Sequence, residues 1–219
     1  MPVFGGGEMK NARMQMTMLV LMIACLLFTG CGILQGDTVT VNPLPDTTMD
    51  NLTDAILSVS LAEGDVYVDD TGKMQMDLKI YTYDKYDMVD ISALEKGNII
   101  VTHSGEVKVK SIERDAAGTI LINGGLADGG LNLVTEEEGI FYAVDENYAK
   151  CWYEAGEATV RVSVDFTGTD NADPELGEVI LYPGSFLINE VTNYNFTPYN
   201  TTIRVENGQI IELHRSYVD

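Results

Sequence analysis

Along most of this chain apolar side chains recur at every second position and not at helical spacing, which restricts the fold to β-sheet. The pattern is clearest where Met74, Met76, Leu78 and Ile80 alternate with Gln75, Asp77 and Lys79. Successive strand residues point to opposite faces, so such a segment buries one face and wets the other. Similar patterning predicts paired strands over 56–68, turned near Glu63-Gly64-Asp65. It predicts further strands at 98–102, 106–113, 119–123, 140–144, 149–154, 158–167, 178–182, 185–191, 201–206 and 209–217. Asp69-Asp70-Thr71-Gly72 reads as a turn, and Asn207-Gly208 is the strongest hairpin signal in the chain. The only helical expectation in this region is a single turn at 90–97, closed by Gly97. The fold class is therefore all-β, an antiparallel sandwich or barrel, with strands from Leu52 to the C-terminus.

A short Leu-x-x-Gly turn (Leu94 to Gly97) leads into a three-stranded meander. That opening resembles a small SH3-like barrel, which would be joined to a second β unit. The resemblance is one of fold and licenses no function. The glycine-rich stretch 124–130 either caps such a barrel or marks a boundary between two halves. It is not a phosphate loop, because no Lys-Ser/Thr follows and no helix begins there.

The N-terminus carries a different signal. Lys10 and Arg13 precede an uncharged apolar run from Met16 to Phe28, which ends in Thr29-Gly30-Cys31-Gly32. A basic flank and an apolar run of about 7–15 residues describe a secretory signal helix, whereas a spanning helix needs about 20. Met9 is the better initiator, since the first eight residues do not read as a signal start. Leu27, Phe28, Thr29, Gly30 and Cys31 resemble the lipobox of bacterial lipoproteins, with Phe28 where the pattern favours Leu. The resemblance implies cleavage before Cys31, lipid attachment (palmitate and related acyl chains) at Cys31, and a home on the extracytoplasmic face of a cell membrane or outer membrane. It implies the domains 1–30 signal peptide, 31–51 lipidated tether and 52–219 β domain. Cys25 lies inside the apolar run and is the poorer candidate. Several acyl chains, at about 0.8 kcal/mol per buried methylene, would hold such a protein stably.

Cutting before Cys31 removes Lys10, Arg13 and Glu8, leaving 11 of the 13 basic and 33 of the 34 acidic side chains. A surface this acidic is repelled by nucleic acid and by anionic headgroups, so nucleic acid is excluded as a partner. With Cys31 lipidated, Cys151 has no disulfide partner, and stability must come from the core. Cys151, within Lys150-Cys151-Trp152-Tyr153, reads as a small buried hydrophobe.

Candidate chemistry is sparse. Asp165, Asp170, Asn171, Asp173, Glu175 and Glu178 crowd one acidic loop at 168–178, where hard oxygen ligands could hold calcium. The EF-hand pattern fails there, so no metal ligand is assigned. Ser104 beside His103 is not expected to form a triad, because strand neighbours face opposite ways. Strand aromatics such as Trp152 are expected in the core, whereas Tyr194, Phe196 and Tyr199 look loop-borne and exposed. No catalytic residue and no cofactor is assigned. The first functional expectation is a membrane-anchored, non-enzymatic binding or envelope-associated module with a protein or glycan partner. The alternatives are a hydrolase of envelope polymer using acidic residues, and a calcium-stabilised adhesion module.

Overall fold

The computed structural model describes residues 38–137, 139–188, 191 and 194–217. The signal segment, the lipobox, Cys31 and the first part of the tether lie outside the described residues. Among the described residues no helix is long and apolar enough to cross a membrane.

In chain order the strands are β1 (Thr40–Val41), β2 (Ala55–Ser60), β3 (Val66–Val68), β4 (Met74–Tyr83), β5 (Lys85–Asp87), β6 (Ile99–Thr102), β7 (Gly105–Lys108) and β8 (Ile112–Arg114). They continue as β9 (Ile120–Ile122), β10 (Leu131–Glu137), β11 (Ile140–Val144), β12 (Trp152–Asp170), β13 (Val179–Leu181), β14 (Thr201–Glu206) and β15 (Gln209–Arg215). Two short helices, α1 (Met88–Ser92) and α2 (Pro183–Leu187), interrupt them. The all-β expectation holds.

Five strands close into a barrel. β2 pairs with β4, β4 with β12, β12 with β15, β15 with β14, and β14 returns to β2. All these pairings are antiparallel except β12 with β15. Counted in chain order, the ring runs first, second, third, fifth, fourth, which is a Greek-key barrel of the OB-fold kind. β12 makes closure feasible because it serves two neighbours. Its first half follows β4 from Trp152↔Tyr83 to Arg161↔Gln75, and its second half follows β15 to Asp170↔Arg215. Register shifts at Glu154/Gly156 and Val162/Thr167 let it bend between them. The two strands expected at 149–154 and 158–167 are thus one bulged strand of 19 residues.

The alternation fixes what this barrel buries. Val59, Met76, Ile80, Ile210 and Leu213 are fully enclosed, and Ile203 and Leu78 nearly so. Each such side chain contributes about 1.5–3 kcal/mol of transfer free energy. At 185–187, where a strand is expected, the chain forms the end of the helix α2. Pro183 sets its first turn, and the Ser185 hydroxyl accepts from the Tyr182 N–H at 3.2 Å, so local capping prevails over apolar content. Phe186 then packs against Phe166 and Phe196 at 6.3 and 6.2 Å between ring centroids. The segment 56–68 does not pair with itself either. β2 and β3 both run along β4, through Val59↔Ile80 and Val66↔Met76, so Glu63-Gly64-Asp65 belongs to an interruption and not to a hairpin. Asn207 and Gly208 do form the hairpin turn, both at positive φ (51° and 70°), as a type I′ turn requires.

Between β4 and β12 the chain builds a second β unit. Its sheets are β5-β11-β10-β9-β8 and β1-β6-β7. They enclose a separate core that includes Tyr86, Ile100, Ile122, Leu133 and Phe141. The glycine-rich stretch 124–130 links β9 to β10, which pair with each other, so it lies inside this unit. The β-prone start of the expected tether joins the same unit. Thr40 and Val41 pair in parallel with Ile99 and Ile100, and Val41 is buried.

Candidate functional site

The barrel core takes the even-numbered residues of β4, which leaves Gln75, Asp77, Lys79, Tyr81 and Tyr83 on its outer face. Pairing with β12 sets Arg161, Thr159, Glu157, Glu154 and Trp152 opposite them in that order. The result is a two-strand stripe that runs from mixed charge at one end to aromatic rings at the other.

A groove of about 410 Å³ lies along the charged end, lined by Asp65, Asp77, Lys79, Glu157 and Thr159 among others. Asp77 accepts a hydrogen bond from the Thr159 hydroxyl at 2.6 Å and a longer one from the Tyr67 hydroxyl at 3.4 Å. Desolvation, and then the nearby Asp77 carboxylate, raise the Tyr67 pKa, so the phenol keeps its proton and remains a donor. The Lys79 ammonium lies 3.8 Å from Glu154 and 3.5 Å from Glu157. Glu154 first and Glu157 second raise its pKa, which keeps the lysine charged.

At the other end Tyr83 meets Trp152 edge-on at 5.0 Å and Tyr142 at 5.5 Å. The Lys150 ammonium lies 4.5 Å from the Tyr83 ring, 5.2 Å from Tyr142 and 5.9 Å from Trp152, and Lys85 lies 5.0 Å from Tyr83. Trp152 is only half-buried, against the expectation that it belongs to the core. The second aromatic group is also reversed. Phe196 is buried and Tyr194 packs on the barrel core, while Tyr199 alone of the three is exposed.

The Ser104 and His103 expectation needs correcting. The two residues occupy the β6–β7 turn, not a strand, so they can meet. Ser104 Oγ is 3.0 Å from His103 Nε2, and His103 Nδ1 is 3.0 Å from Oδ2 of the buried Asp84. By distance this is a nucleophile, a base and an orienting acid. However, the Ser104 N–H donates to Thr102 Oγ1 and the His103 N–H to Asp84 Oδ2. Neither amide is left to receive an oxyanion, the stabilisation that acyl transfer most needs. Tyr153 stacks on His103 at 4.2 Å, and burial, aided by Asp84 and Asp46, pushes its hydroxyl up to about 12. The arrangement is a clamp that holds the β6–β7 tip to the crossing from β4 to β5.

The acidic loop does not gather its carboxylates. Asp170 makes a paired salt bridge with the buried Arg215, through Arg215 Nε at 2.8 Å and through Nη2. The Arg215 guanidinium in turn covers the Phe196 ring at 4.1 Å. Asp173 accepts from the Glu175 N–H at 2.9 Å. Among the described residues no three His, Cys, Asp or Glu side chains are placed to hold a metal ion. Cys151 is half-buried against the second core, and burial, then Asp145 and Asp84, push its thiol pKa up. It therefore stays a protonated, unreactive side chain.

The stripe escaped sequence reading because each of its strands shows only a polar face when taken alone. Neither a protein-family model, nor a curated protein, nor a solved structure matches the chain.

Proposed function

We propose that this protein is a lipid-anchored, extracytoplasmic binding module, tethered through Cys31, whose ligand lies along the outer face of β4 and β12. The observation that carries the reading is the groove at Asp77 and Glu157, on the same strand pair as the aromatic group around Tyr83 and Trp152. In Greek-key barrels of this kind the face of the second and third strands is a common binding surface, which here means β4 and β12. The fold analogy names a face and no ligand. The membrane address rests on Lys10, Arg13, the apolar run and the lipobox resemblance at residues 27–31.

Binding is favoured over hydrolysis by the partners of the groove carboxylates. Glycoside hydrolysis needs two carboxyl groups free to act at one glycosidic bond. Asp77 instead receives two hydroxyl donors and Glu157 faces the Lys79 ammonium, so both are taken up within the protein.

Photocrosslinking in the native envelope tests the face. A benzophenone side chain placed at Tyr81 should trap a partner that the same group at Leu176, exposed in the loop that follows β12, does not. Equal trapping of that partner at both positions would refute the reading. Mass spectrometry of the membrane fraction tests the anchor, and an intact peptide spanning Gly30-Cys31 would refute it.

A further inference from the structure

A closed barrel has no sheet edge, but β13 overhangs this one. It extends the sheet past β12 through Gly168↔Leu181, Thr169↔Ile180 and Asp170↔Val179, and among the described residues no strand lies on its other side. Gly168 admits the pairing, since a Cβ there would lie 2.8 Å from Leu181 Cβ. An edge strand presents unpaired N–H and C=O groups, and proteins keep such an edge empty by placing charge or proline on it. Val179, Ile180 and Leu181 carry neither. Val179 and Ile180 are exposed, as are Leu176 before them and Tyr182 after them.

A cavity of about 320 Å³ opens beside this edge, walled by Pro174, Leu176, Val179, Leu181 and Val191, with the Asp170–Arg215 pair. Leu181 and Val191 belong to the barrel core, so the cavity reaches down to apolar side chains. Strand residues alternate in facing, which puts Val179 and Leu181 on the cavity side and Ile180, with Glu178 before it, on the other. The surroundings are acidic. No Lys or Arg occurs from 162 to 203, where Asp165, Asp170, Asp173, Glu175, Glu178 and Glu190 fall. The neighbouring β15 adds only His214 and Arg215 here, and Arg215 is held by Asp170. Asp173, Glu175 and Glu178 are exposed, and among the described residues none of them forms an ion pair. A second copy docked edge to edge would set these acids against their own images, and a polyanion is repelled likewise. A cationic strand is attracted.

We propose that β13 is a docking edge for an extended, basic segment of a partner protein, which adds one strand to the sheet and places an apolar side chain in the cavity. The site shares no residue with the β4–β12 groove and does not depend on it. The fitting segment alternates apolar and basic residues. Its apolar side chains meet the cavity face, and its cations meet the Glu178 face and the acids of the preceding loop. Main-chain hydrogen bonds supply affinity, and the cavity and charges supply specificity.

The probe is the fluorescein-labelled peptide Lys-Val-Lys-Phe-Lys-Val-Lys, titrated by anisotropy into full-length lipidated protein held in phosphatidylcholine nanodiscs. It should bind saturably. The same peptide with Glu for every Lys, and the same peptide N-methylated at every amide, should not bind. Replacing its Phe by Ala should weaken binding about tenfold or more, as for an anchor side chain in a pocket. Ile180→Lys, which puts a protecting charge on the edge, should also weaken binding about tenfold or more. Asp173→Asn, Glu175→Gln and Glu178→Gln together should weaken it about tenfold and remove most of its salt dependence. Val89→Ser, exposed in α1 on the second unit, should leave it unchanged. Circular dichroism of each variant confirms folding. Failure of the basic peptide to bind overturns the proposal. Binding that survives N-methylation, or that Ile180→Lys leaves intact, overturns strand addition at β13. Association of two nanodiscs through a contact that Ile180→Lys breaks overturns the basic partner and assigns the edge to a second copy.

Discussion

Gly130→Ala is the sharpest test of the inserted unit. Gly130 stands just before Leu131, which pairs with Ile122 across the β9–β10 ladder. A Cβ built on Gly130 would lie 1.7 Å from the Ile122 carbonyl oxygen and 2.8 Å from its carbon. These are backbone atoms, and no rotamer change relieves the clash. The two strands must separate, breaking ladder hydrogen bonds at about 1 kcal/mol each and displacing Ile122 and Leu131 from the second core. Overpacking alone costs about 1–3 kcal/mol, so the total expected is about 3–4 kcal/mol. Gly64→Ala is the control, because it has positive φ (95°) but open space around it, and it should cost about 1 kcal/mol. Hydrogen exchange with mass spectrometry reads both effects locally. In Gly130→Ala, protection of 120–144 should fall by about two to three decades, at about 1.4 kcal/mol per decade, with a smaller loss in β14 and β15. A Gly130→Ala variant no less protected than the Gly64→Ala control would refute the argument.

Three further outcomes follow from the geometry. Leu213→Ala, at a site with no solvent exposure in the barrel core, should cost about 2–5 kcal/mol by urea denaturation. Asp84→Ala should cost about 1–3 kcal/mol by the same assay, because it strips both His103 N–H and Nδ1 of their partner, whereas Ser104→Ala should fall within about 0.5 kcal/mol of the parent. Ser104→Ala should also leave the hydrolysis of p-nitrophenyl acetate at the level of the parent, and a loss of turnover would reinstate the triad. Asp69 is held well below the usual carboxylate range by the Gln75 amide first, then by Lys73 N–H and Thr71. A depressed carboxylate stabilises the fold above its unfolded pKa of about 3.9 and loses that contribution as pH falls through the folded value. Asp69→Asn should therefore lower the urea midpoint at pH 7, and the two proteins should draw progressively together as the pH falls from about 3.9 towards the folded value.

Local signals were legible wherever they were decided locally. The alternation of 74–80, the Asn207-Gly208 turn and the turn at Asp69 depend on neighbours in sequence, and all three are present. The short helix was legible in kind but lies at 88–92 because the Asp87 carboxylate accepts from the Val89 N–H and starts it earlier. Closure of the barrel was not legible, since it depends on parallel pairing of Arg161 with Gln209 and on one strand serving two partners. The insertion was hidden for a similar reason. Alternation runs through Tyr83 into Lys85 without a break, and only the two separate cores reveal that Asp84 is where the chain leaves one unit for the other.

The site was the least legible part, and the reason lies in how sheets make surfaces. Asp77 on β4 read as one solvated residue among many acids, and Thr159 as one polar residue among many. Their meeting at 2.6 Å requires a pairing that spans 82 residues. Trp152 was assigned to the core because strand aromatics usually pack inward, and within the barrel's length that rule would hold. However, Trp152 is the first residue of β12, opposite Tyr83 at the last residue of β4, where the barrel core has already ended. An aromatic pair at the ends of two adjacent strands, with lysines beside it, has no interior left to enter. Its placement at the rim puts aromatic rings at one end of the β4–β12 stripe and the groove at the other.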